Sequence, residues 1–170
     1  MVMGSVRDLL GGLDRRAFVA THESLFLVKE PASDAQEATT SPEAISYKTR
    51  HVDEESLIDA AAFSGQWWVG EIRKRAGNPF PDRISIGRAP NCDVVIRVSF
   101  VSKLHAHFLV GADSELRLSD LRSANGTRLN GRELVAGISA VVHAGDKVRL
   151  GAVELSVVDA GALHDLLSRI

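Results

Sequence analysis

Three short polar segments of this sequence carry side chains that could together bind an anionic oxygen. They are Gly87-Arg88, Ser102–Ala106 and Ser123–Gly131, and each falls between two strand-like runs. An arginine guanidinium makes two parallel hydrogen bonds to a phosphate, a serine hydroxyl adds a donor, and an asparagine amide pairs with peptide backbone. These residue types therefore predict a site that reads a phosphate group together with the chain that carries it.

The order and spacing of the segments resemble the forkhead-associated (FHA) domain family. That family's pattern is Gly-Arg, then Ser-Arg-x-His, then Ser/Thr-x-Asn-Gly-Thr with a closing Asn-Gly, at about the separations seen here. The resemblance covers a little over half of the chain. It implies a twisted antiparallel β-sandwich that binds phosphothreonine peptides through loops at one end and catalyses nothing.

The resemblance implies a role for each residue that matches the pattern. Arg88 is expected to take the phosphate, Ser102 to donate to it, and Lys103 to support it electrostatically. Asn125 is expected to orient the peptide backbone, and Ala124 can offer only its backbone N–H. The complete set expected to contact a phosphopeptide is Arg88, Ser102, Lys103, Ala124, Asn125 and Asn130.

A second group of matching residues is expected to support the loops without touching the ligand. His105 is the clearest member, because the resemblance assigns it to hydrogen bonds that brace the binding loops. Asn130 and Gly131 form a strong type I′ hairpin signal, so the structural role of Asn130 ranks ahead of its ligand contact. The supporting residues are Gly87, His105, Gly126 and Thr127.

Two residues depart from the family pattern. Lys103 stands where the family usually has arginine. It keeps the positive charge but cannot make the two parallel hydrogen bonds of a guanidinium. Ala124 stands where the family often has Ser or Thr, so a hydroxyl donor is missing and weaker binding is expected. The resemblance also places selectivity for the residue three after the phosphothreonine in loops near Phe100, Val101 and Arg122.

Composition is typical of a soluble globular protein. Hydrophobic residues make up 45% of the 170 residues and charged residues 25%. No apolar run approaches the roughly 20 residues that cross a bilayer, which argues against a membrane partner. The lone Cys92 cannot form an internal disulfide, and Met1–Arg16 lacks the features of a secretory signal. We therefore expect a cytoplasmic protein.

Charge is unevenly distributed along the chain. Residues 1–65 carry 6 Lys/Arg against 11 Asp/Glu, a net charge of −5, whereas residues 66–170 carry 14 against 11, a net charge of +3. A mildly basic domain behind an acidic arm suits an anionic ligand or contact with its own arm. A net charge of +3 is far below the dense basic patches of nucleic-acid binders, so no nucleic-acid partner is expected.

From residue 66 onward, short apolar runs alternate with Gly, Pro, Asn and Asp, which predicts an all-β sandwich. The helical spacing of leucines in Ala162–Ile170 predicts a short C-terminal helix. The predicted strands are Trp67–Lys74, Arg83–Gly87, Val94–Ile96, Ala106–Val110, Glu115–Asp120, Thr127–Leu129, Glu133-Leu134, Lys147–Leu150 and Val153–Val158.

Four regions are expected. Residues 1–30 form a partly ordered extension with strand pieces at Phe18–Ala20 and Leu25–Val28. Residues 31–65 form an acidic linker, because its first part is poor in large apolar groups, and one short helix is expected at Glu54–Phe63. The FHA sandwich then spans 66–159, and the C-terminal helix 160–170.

The expected partner is a phosphothreonine-containing protein, such as a Ser/Thr kinase or its substrate. A second hypothesis concerns Thr39 and Thr40, which follow an acidic residue on the linker. Once phosphorylated, either could compete within the chain for Arg88 and Ser102, because a tether raises the effective concentration. The alternative is a linker without this function.

Other functions are less well supported by the residues. His105 and His107 lie two apart, but no third ligand at a matching spacing accompanies them, so no metal or other cofactor is expected. Ser102 with His105 lacks the Gly-x-Ser-x-Gly elbow of a hydrolase, so an enzyme is not expected. The remaining alternative is an FHA-fold scaffold for protein–protein assembly that does not depend on phosphate.

Overall fold

Alternation of buried and half-buried side chains explains why these short segments form strands. In Ala106–Val110 the side chains of Ala106 and Phe108 are fully buried, and those of the residues that follow each of them are only half-buried. Val153–Val158 repeats the pattern with buried residues at every second position. A period of two places successive side chains on opposite faces of a sheet. One face of each strand can therefore join a core.

The computed structural model describes residues 10–32, 60–111 and 114–170. The described residues contain eleven strands and three helices. The strands are β1 Phe26–Lys29, β2 Trp68–Glu71, β3 Arg83–Gly87, β4 Val94–Val95, β5 Ala106–Val110, β6 Leu116–Asp120, β7 Thr127–Leu129, β8 Arg132–Glu133, β9 Ser139–Val141, β10 Lys147–Leu150 and β11 Val153–Val158. The helices are α1 Arg15–Thr21, α2 Ala60–Ser64 and α3 Ala160–Leu167.

The strands form two sheets that share one core. The six-stranded sheet has the order β2-β1-β11-β10-β7-β8, and the five-stranded sheet has the order β4-β3-β5-β6-β9. Strand pairs are antiparallel, apart from β3 with β4. Buried side chains from both sheets, including Leu27, Ile86, Phe108, Leu118 and Leu155, meet in this core. The predicted all-β sandwich is confirmed.

Strand β1 lies in the stretch that the sequence assigned to the extension, yet it is an inner strand of the larger sheet. It pairs with β11 on one side and with β2 on the other. Leu27 is fully buried in the main core, while Phe26 and Val28 point to the opposite face of the sheet. The sandwich therefore includes residues before 66.

The strand predicted at Phe18–Ala20 is wrong, because these residues lie in helix α1. The Asp14 carboxylate accepts a hydrogen bond from the Ala17 N–H at 2.8 Å, which caps the helix start. Phe18 then points to the sheet and is almost completely buried. A local cap and one apolar contact outweigh the strand preference of Phe and Val.

A second, smaller core lies on the outer face of the six-stranded sheet. Helices α1 and α3 cover this face with Phe18, Leu163 and Leu167, which pack against Phe26 and Val28. The Asp159 carboxylate caps α3 by accepting from the Ala162 N–H at 2.7 Å. The short C-terminal helix is confirmed, although it starts two residues earlier than the leucine spacing predicted.

Strand β9 was not predicted from the sequence, because its residues are small and half-buried. Ser139–Val141 lacks large apolar side chains at alternate positions and pairs with β6 as the edge of the smaller sheet. Of the helix expected at Glu54–Phe63, only the end is described, as α2. Thr39 and Thr40 lie outside the described residues.

Candidate functional site

The loops that carry most of the predicted site residues gather at one end of the sandwich. Strands β3 and β6 end there and β5 begins there, because the register pairs Ile86 with Ala106 and Ala106 with Asp120. Strand β7 leaves from the same end. We call this end the rim. It consists of residues 88–93, 96–105, 121–126, 134–138 and 151–152.

Backbone hydrogen bonds hold Arg88 beside Ser102. The Arg88 N–H donates to the Ser102 carbonyl at 3.0 Å, and the Ala89 N–H donates to the Lys103 carbonyl at 3.1 Å. A Cβ on Gly87 would lie 2.3 Å from the Lys103 carbonyl oxygen, which is closer than a carbon and an oxygen atom that are not bonded can approach. Glycine at position 87 is therefore required for these two loops to meet.

The Arg88 side chain is half-buried and has no hydrogen-bond or ion-pair partner in the part of the chain that the structure describes. Its Nε atom is buried and forms no hydrogen bond with another described residue. Among the described residues, no carboxylate forms an ion pair with it. Buried polar groups in proteins almost always have a partner, so an exception requires a physical explanation. The arrangement can accept an anion.

The Ser102 hydroxyl lies in the loop whose backbone is bound to Arg88. Its Oγ atom accepts a hydrogen bond from the Ala124 N–H at 3.0 Å, and its own hydrogen is donated to no other described residue. The Ala124 N–H is thus already engaged and acts through Ser102. Lys103, the next residue, is exposed.

The buried His105 side chain connects two loops of the rim through hydrogen bonds. It is fully buried; its Nδ1 atom accepts from the Ser102 N–H at 3.0 Å, and its Nε2 atom lies 3.1 Å from the Gly126 carbonyl oxygen. These partners fit the neutral ring with hydrogen on Nε2. Burial lowers the pKa of His105, and the hydrogen bond to Gly126 only partly opposes the shift.

The buried His105 should make the stability of the protein depend on pH. The pKa of His105 is lowered in the folded state. Its contribution to the free energy of unfolding is therefore complete above the pKa of the unfolded chain, about 6.5, and is lost as pH falls below that value. We expect the free energy of unfolding to decrease between pH 7.5 and 5, and this decrease to be smaller in His105→Gln. Denaturant titrations at each pH measure both slopes.

His107 provides the control for this experiment. Burial lowers the pKa of the half-buried His107 as well, so it adds to the same pH dependence. The measurement is therefore repeated in a His107→Gln background. Identical slopes with and without His105 would show that this ring does not titrate with unfolding.

A buried carboxylate anchors the third loop, and sequence reasoning missed it. Asp120 accepts hydrogen bonds from the hydroxyls of Ser123 and Thr127, both at 2.6 Å, and from the Ser123 N–H at 3.1 Å. Burial alone would raise the pKa of Asp120, but these hydrogen bonds lower it below its usual value. An Asp followed by Ser three residues later is the local signal that could have revealed this loop.

The two asparagines that were predicted to contact ligand lie in different places. The Asn125 side-chain NH₂ donates to the Phe100 carbonyl at 2.9 Å, which ties two rim loops together, and Oδ1 has no hydrogen bond to another described residue. Asn130 is carried to the opposite end of the sandwich by β7, where its amide bonds Asp146 and the Lys147 N–H. The structure does not bring Asn130 to the rim.

The hairpin predicted at Asn130 is confirmed, since Asn130 and Gly131 have φ angles of 50° and 81°. These values match a type I′ turn between β7 and β8.

The rim carries further cations. Arg97, Lys103 and Arg122 are exposed, and none of them forms an ion pair with another described residue. The acidic side chains of Asp93 and Asp120 are buried and are engaged in internal hydrogen bonds. The exposed charges at the rim therefore favour an anionic ligand.

The part of the sequence that carries most of the rim matches a known family model. Residues 84–151 match the FHA domain, and this stretch runs from β3 to the turn after β10. The chain contains an FHA domain. Strands β1 and β2 and the helices of the second core lie outside the match.

Solved FHA structures resemble the chain in part. A structure of Mycobacterium tuberculosis EmbR with a low-affinity phosphopeptide is 22% identical with a TM-score of 0.44, and the match covers 57% of this chain but only 22% of the EmbR chain. The N-terminal FHA domain of Saccharomyces cerevisiae Rad53p with a phosphothreonine peptide is 22% identical with a TM-score of 0.47, covering 63% and 94%. An FHA domain of a Mycobacterium tuberculosis ABC transporter is 32% identical with a TM-score of 0.41, covering 51% and 77%. No curated protein sequence matches the chain.

Two observations concern other kinds of site. No three His, Cys, Asp or Glu side chains among the described residues are grouped so that they could hold a metal ion. None of the described helices is both long and apolar enough to cross a membrane.

The resemblance linked three residues with selectivity for the residue three after the phosphothreonine. Of these, Phe100 and Val101 are buried, and only Arg122 is exposed.

Proposed function

We propose that this FHA domain binds a phosphothreonine-containing segment of a partner protein at the rim. The observation that carries the proposal is the Arg88 side chain: its backbone N–H is bound to the Ser102 carbonyl, and its buried Nε atom has no hydrogen-bond partner among the described residues. A guanidinium can make two parallel hydrogen bonds to a phosphate, and Arg88 has no ion pair with another described residue that would have to be broken first. A doubly charged ester supplies the acceptor oxygens that Arg88 lacks.

Each neighbouring residue would then add one interaction. The Ser102 hydroxyl donates to a second phosphate oxygen, and Lys103 adds positive charge from the exposed side. Asn125 presents its Oδ1 atom, which can accept from a peptide N–H while the NH₂ remains bound to Phe100. Phosphate and peptide backbone would thus be read by different residues.

The resulting role is that of a regulatory adaptor in Ser/Thr kinase signalling. Phosphothreonine is the product of such kinases, so the partner is a kinase that carries the mark or a substrate of one. Binding would bring that partner close to any other protein that this chain binds. Phosphatase treatment of the partner separates this role from phosphate-independent assembly.

Titration with three matched peptide libraries tests the proposal. The libraries carry phosphothreonine, threonine or phosphoserine at the fixed position, and binding is measured by calorimetry or fluorescence anisotropy. We expect the phosphothreonine library to bind, the threonine library to bind at least about a hundredfold more weakly, and binding to weaken as salt is raised. Equal binding of the threonine library would contradict the proposal.

A further inference from the structure

The loop that carries Arg88, residues 88–93, depends on other elements for its conformation. Among the hydrogen bonds between described residues, only that of the Cys92 N–H to the Ala89 carbonyl, at 3.1 Å, lies within this loop. Pro90 has no backbone N–H and therefore cannot donate. The shape of the Arg88 loop is consequently set by the bonds that it makes to its neighbours.

Arg75 supplies two of these bonds from the connection between β2 and β3. Its Nη1 atom donates to the Pro90 carbonyl at 3.1 Å and to the Cys92 carbonyl at 2.9 Å. None of the ion pairs between described residues includes Arg75. One guanidinium nitrogen thus holds two carbonyls of the Arg88 loop, and hydrogen bonds from a charged donor are stronger than those from a neutral one.

A buried carboxylate anchors the backbone from which the Arg75 side chain starts. The Asp93 side chain is completely buried, and its Oδ1 atom accepts from the Arg75 N–H at 2.8 Å. Its Oδ2 atom accepts from the N–H and the hydroxyl of Ser85 on β3, at 2.7 and 2.8 Å. The bond to Asp93 comes from the Arg75 backbone, so it remains when the Arg75 side chain is replaced.

The loop of Ser102 and Lys103 provides the second support. The Cys92 thiol donates to the Lys103 carbonyl at 3.3 Å, and the Ala89 N–H donates to the same carbonyl at 3.1 Å. The Arg88 loop is therefore held by two elements, the loop of the proposed site and the β2–β3 connection. The second of these lies outside residues 84–151, which match the FHA domain.

We propose that Arg75 is a positioning residue for phosphate binding, which fixes residues 88–93 so that Arg88 keeps the conformation that binds phosphate. The inference rests on the proposed function and deepens it, because it assigns part of the affinity to a residue that does not touch the ligand. When the competent conformation is only partly populated, the apparent affinity falls by that fraction. Loss of the two Arg75 bonds allows the loop to leave this conformation.

The Arg75→Ala variant of the full chain tests the inference with a phosphothreonine peptide that the parent protein binds. We expect calorimetry to show about fivefold weaker binding, as when the competent conformation is populated about one fifth of the time. The loss should persist at about 0.5 M salt, which screens attraction between separated charges but does not restore the loop. Arg75→Lys keeps a charged donor without the planar guanidinium and should recover part of the affinity.

A double-mutant cycle separates positioning of Arg88 from a general structural effect. In the Arg88→Ala background, Arg75→Ala should change the residual affinity by less than about twofold, because the side chain that it positions is absent. NMR titration measures this weak binding, and circular dichroism checks that each variant is folded. If Arg75→Ala does not fold, Arg75→Lys takes its place in the same cycle.

Arg73 provides the matched control, since it lies two residues earlier in the same connection. Its side chain is 70% exposed and pairs with Glu71 at 3.3 Å, so Arg73→Ala removes the same charge and should leave affinity within about twofold. Parent-like binding by Arg75→Ala, a loss that disappears at high salt, or an equal loss in the Arg88→Ala background overturns the inference while the proposed function stands. Failure of the parent protein to bind any phosphothreonine peptide overturns both.

Discussion

Replacing Arg88 by alanine is expected to reduce phosphothreonine peptide binding by at least about a hundredfold. Two hydrogen bonds to a charged group contribute about 1.5–3 kcal/mol each, and about 1.4 kcal/mol corresponds to a tenfold change in affinity. Because the Arg88 side chain has no partner among the described residues, its removal should leave the stability of the fold nearly unchanged. Calorimetric titration and thermal unfolding of the same samples measure both effects.

Two further variants make the Arg88 result specific. Arg88→Lys keeps the charge but loses the planar fork, so its affinity should lie between that of the parent and that of the alanine variant. Arg132 is an exposed arginine on β8, and Arg132→Ala should leave binding within about twofold. Parent-like binding by Arg88→Ala would show that this side chain is not the phosphate ligand.

Replacing Gly87 by alanine is expected to disrupt both the fold and the site. The new Cβ would lie 2.3 Å from the Lys103 carbonyl oxygen and 3.0 Å from that of Ser102, and these backbone atoms cannot move without separating the two loops. Overpacking of this kind costs about 1–3 kcal/mol of folding free energy. Because the displaced loop carries Ser102, affinity for a phosphothreonine peptide should fall about tenfold or more, even under conditions where the variant is folded.

Gly111 provides the matched glycine. A Cβ at this position would meet the Glu115 carbonyl oxygen at 3.5 Å, an ordinary contact, so Gly111→Ala should change the free energy of unfolding by less than about 0.5 kcal/mol. Denaturant unfolding compares the two variants directly. Equal stability and equal binding of both would contradict the close approach of the Gly87 and Ser102 loops.

The sheet could be predicted from the sequence wherever side chains alternate strongly. The strands Arg83–Gly87, Ala106–Val110 and Val153–Val158 each bury alternate apolar residues, and all three occur with the predicted bounds. Ser139–Val141 has no such alternation, because it pairs at the sheet edge with small side chains. Phe18–Ala20 became helical through the local Asp14 cap and the burial of Phe18 against the sheet, and a short apolar triplet reveals neither of them.

The placement of β1 could not be predicted from pattern either. Its apolar run indicated a strand piece in the extension, but its partners β2 and β11 are distant in the chain. Pairing of distant strands depends on the whole topology and not on local preference. The N-terminal extension therefore contributes a strand to the sandwich, which the composition did not indicate.

The site residues divide in the same way. Arg88, Ser102 and His105 were predicted from the order of the motifs in the family pattern, and the structure places all three at the rim. The pattern could not show that the Ala124 N–H is already bound to Ser102. It also could not show that Asn130 lies at the far end of the sandwich, since a three-residue strand separates it from the rim.

The most direct test of the account is an NMR titration of the uniformly ¹⁵N-labelled protein. The ligand is a phosphothreonine peptide selected from the library, and its unphosphorylated form is titrated in parallel. The account predicts that the largest shifts occur at the Arg88 Nε–H and at the backbone amides of Ser102 and Asn125, with saturation by the phosphopeptide alone. Shifts confined to α1 and α3, or equal shifts with the unphosphorylated peptide, would contradict it.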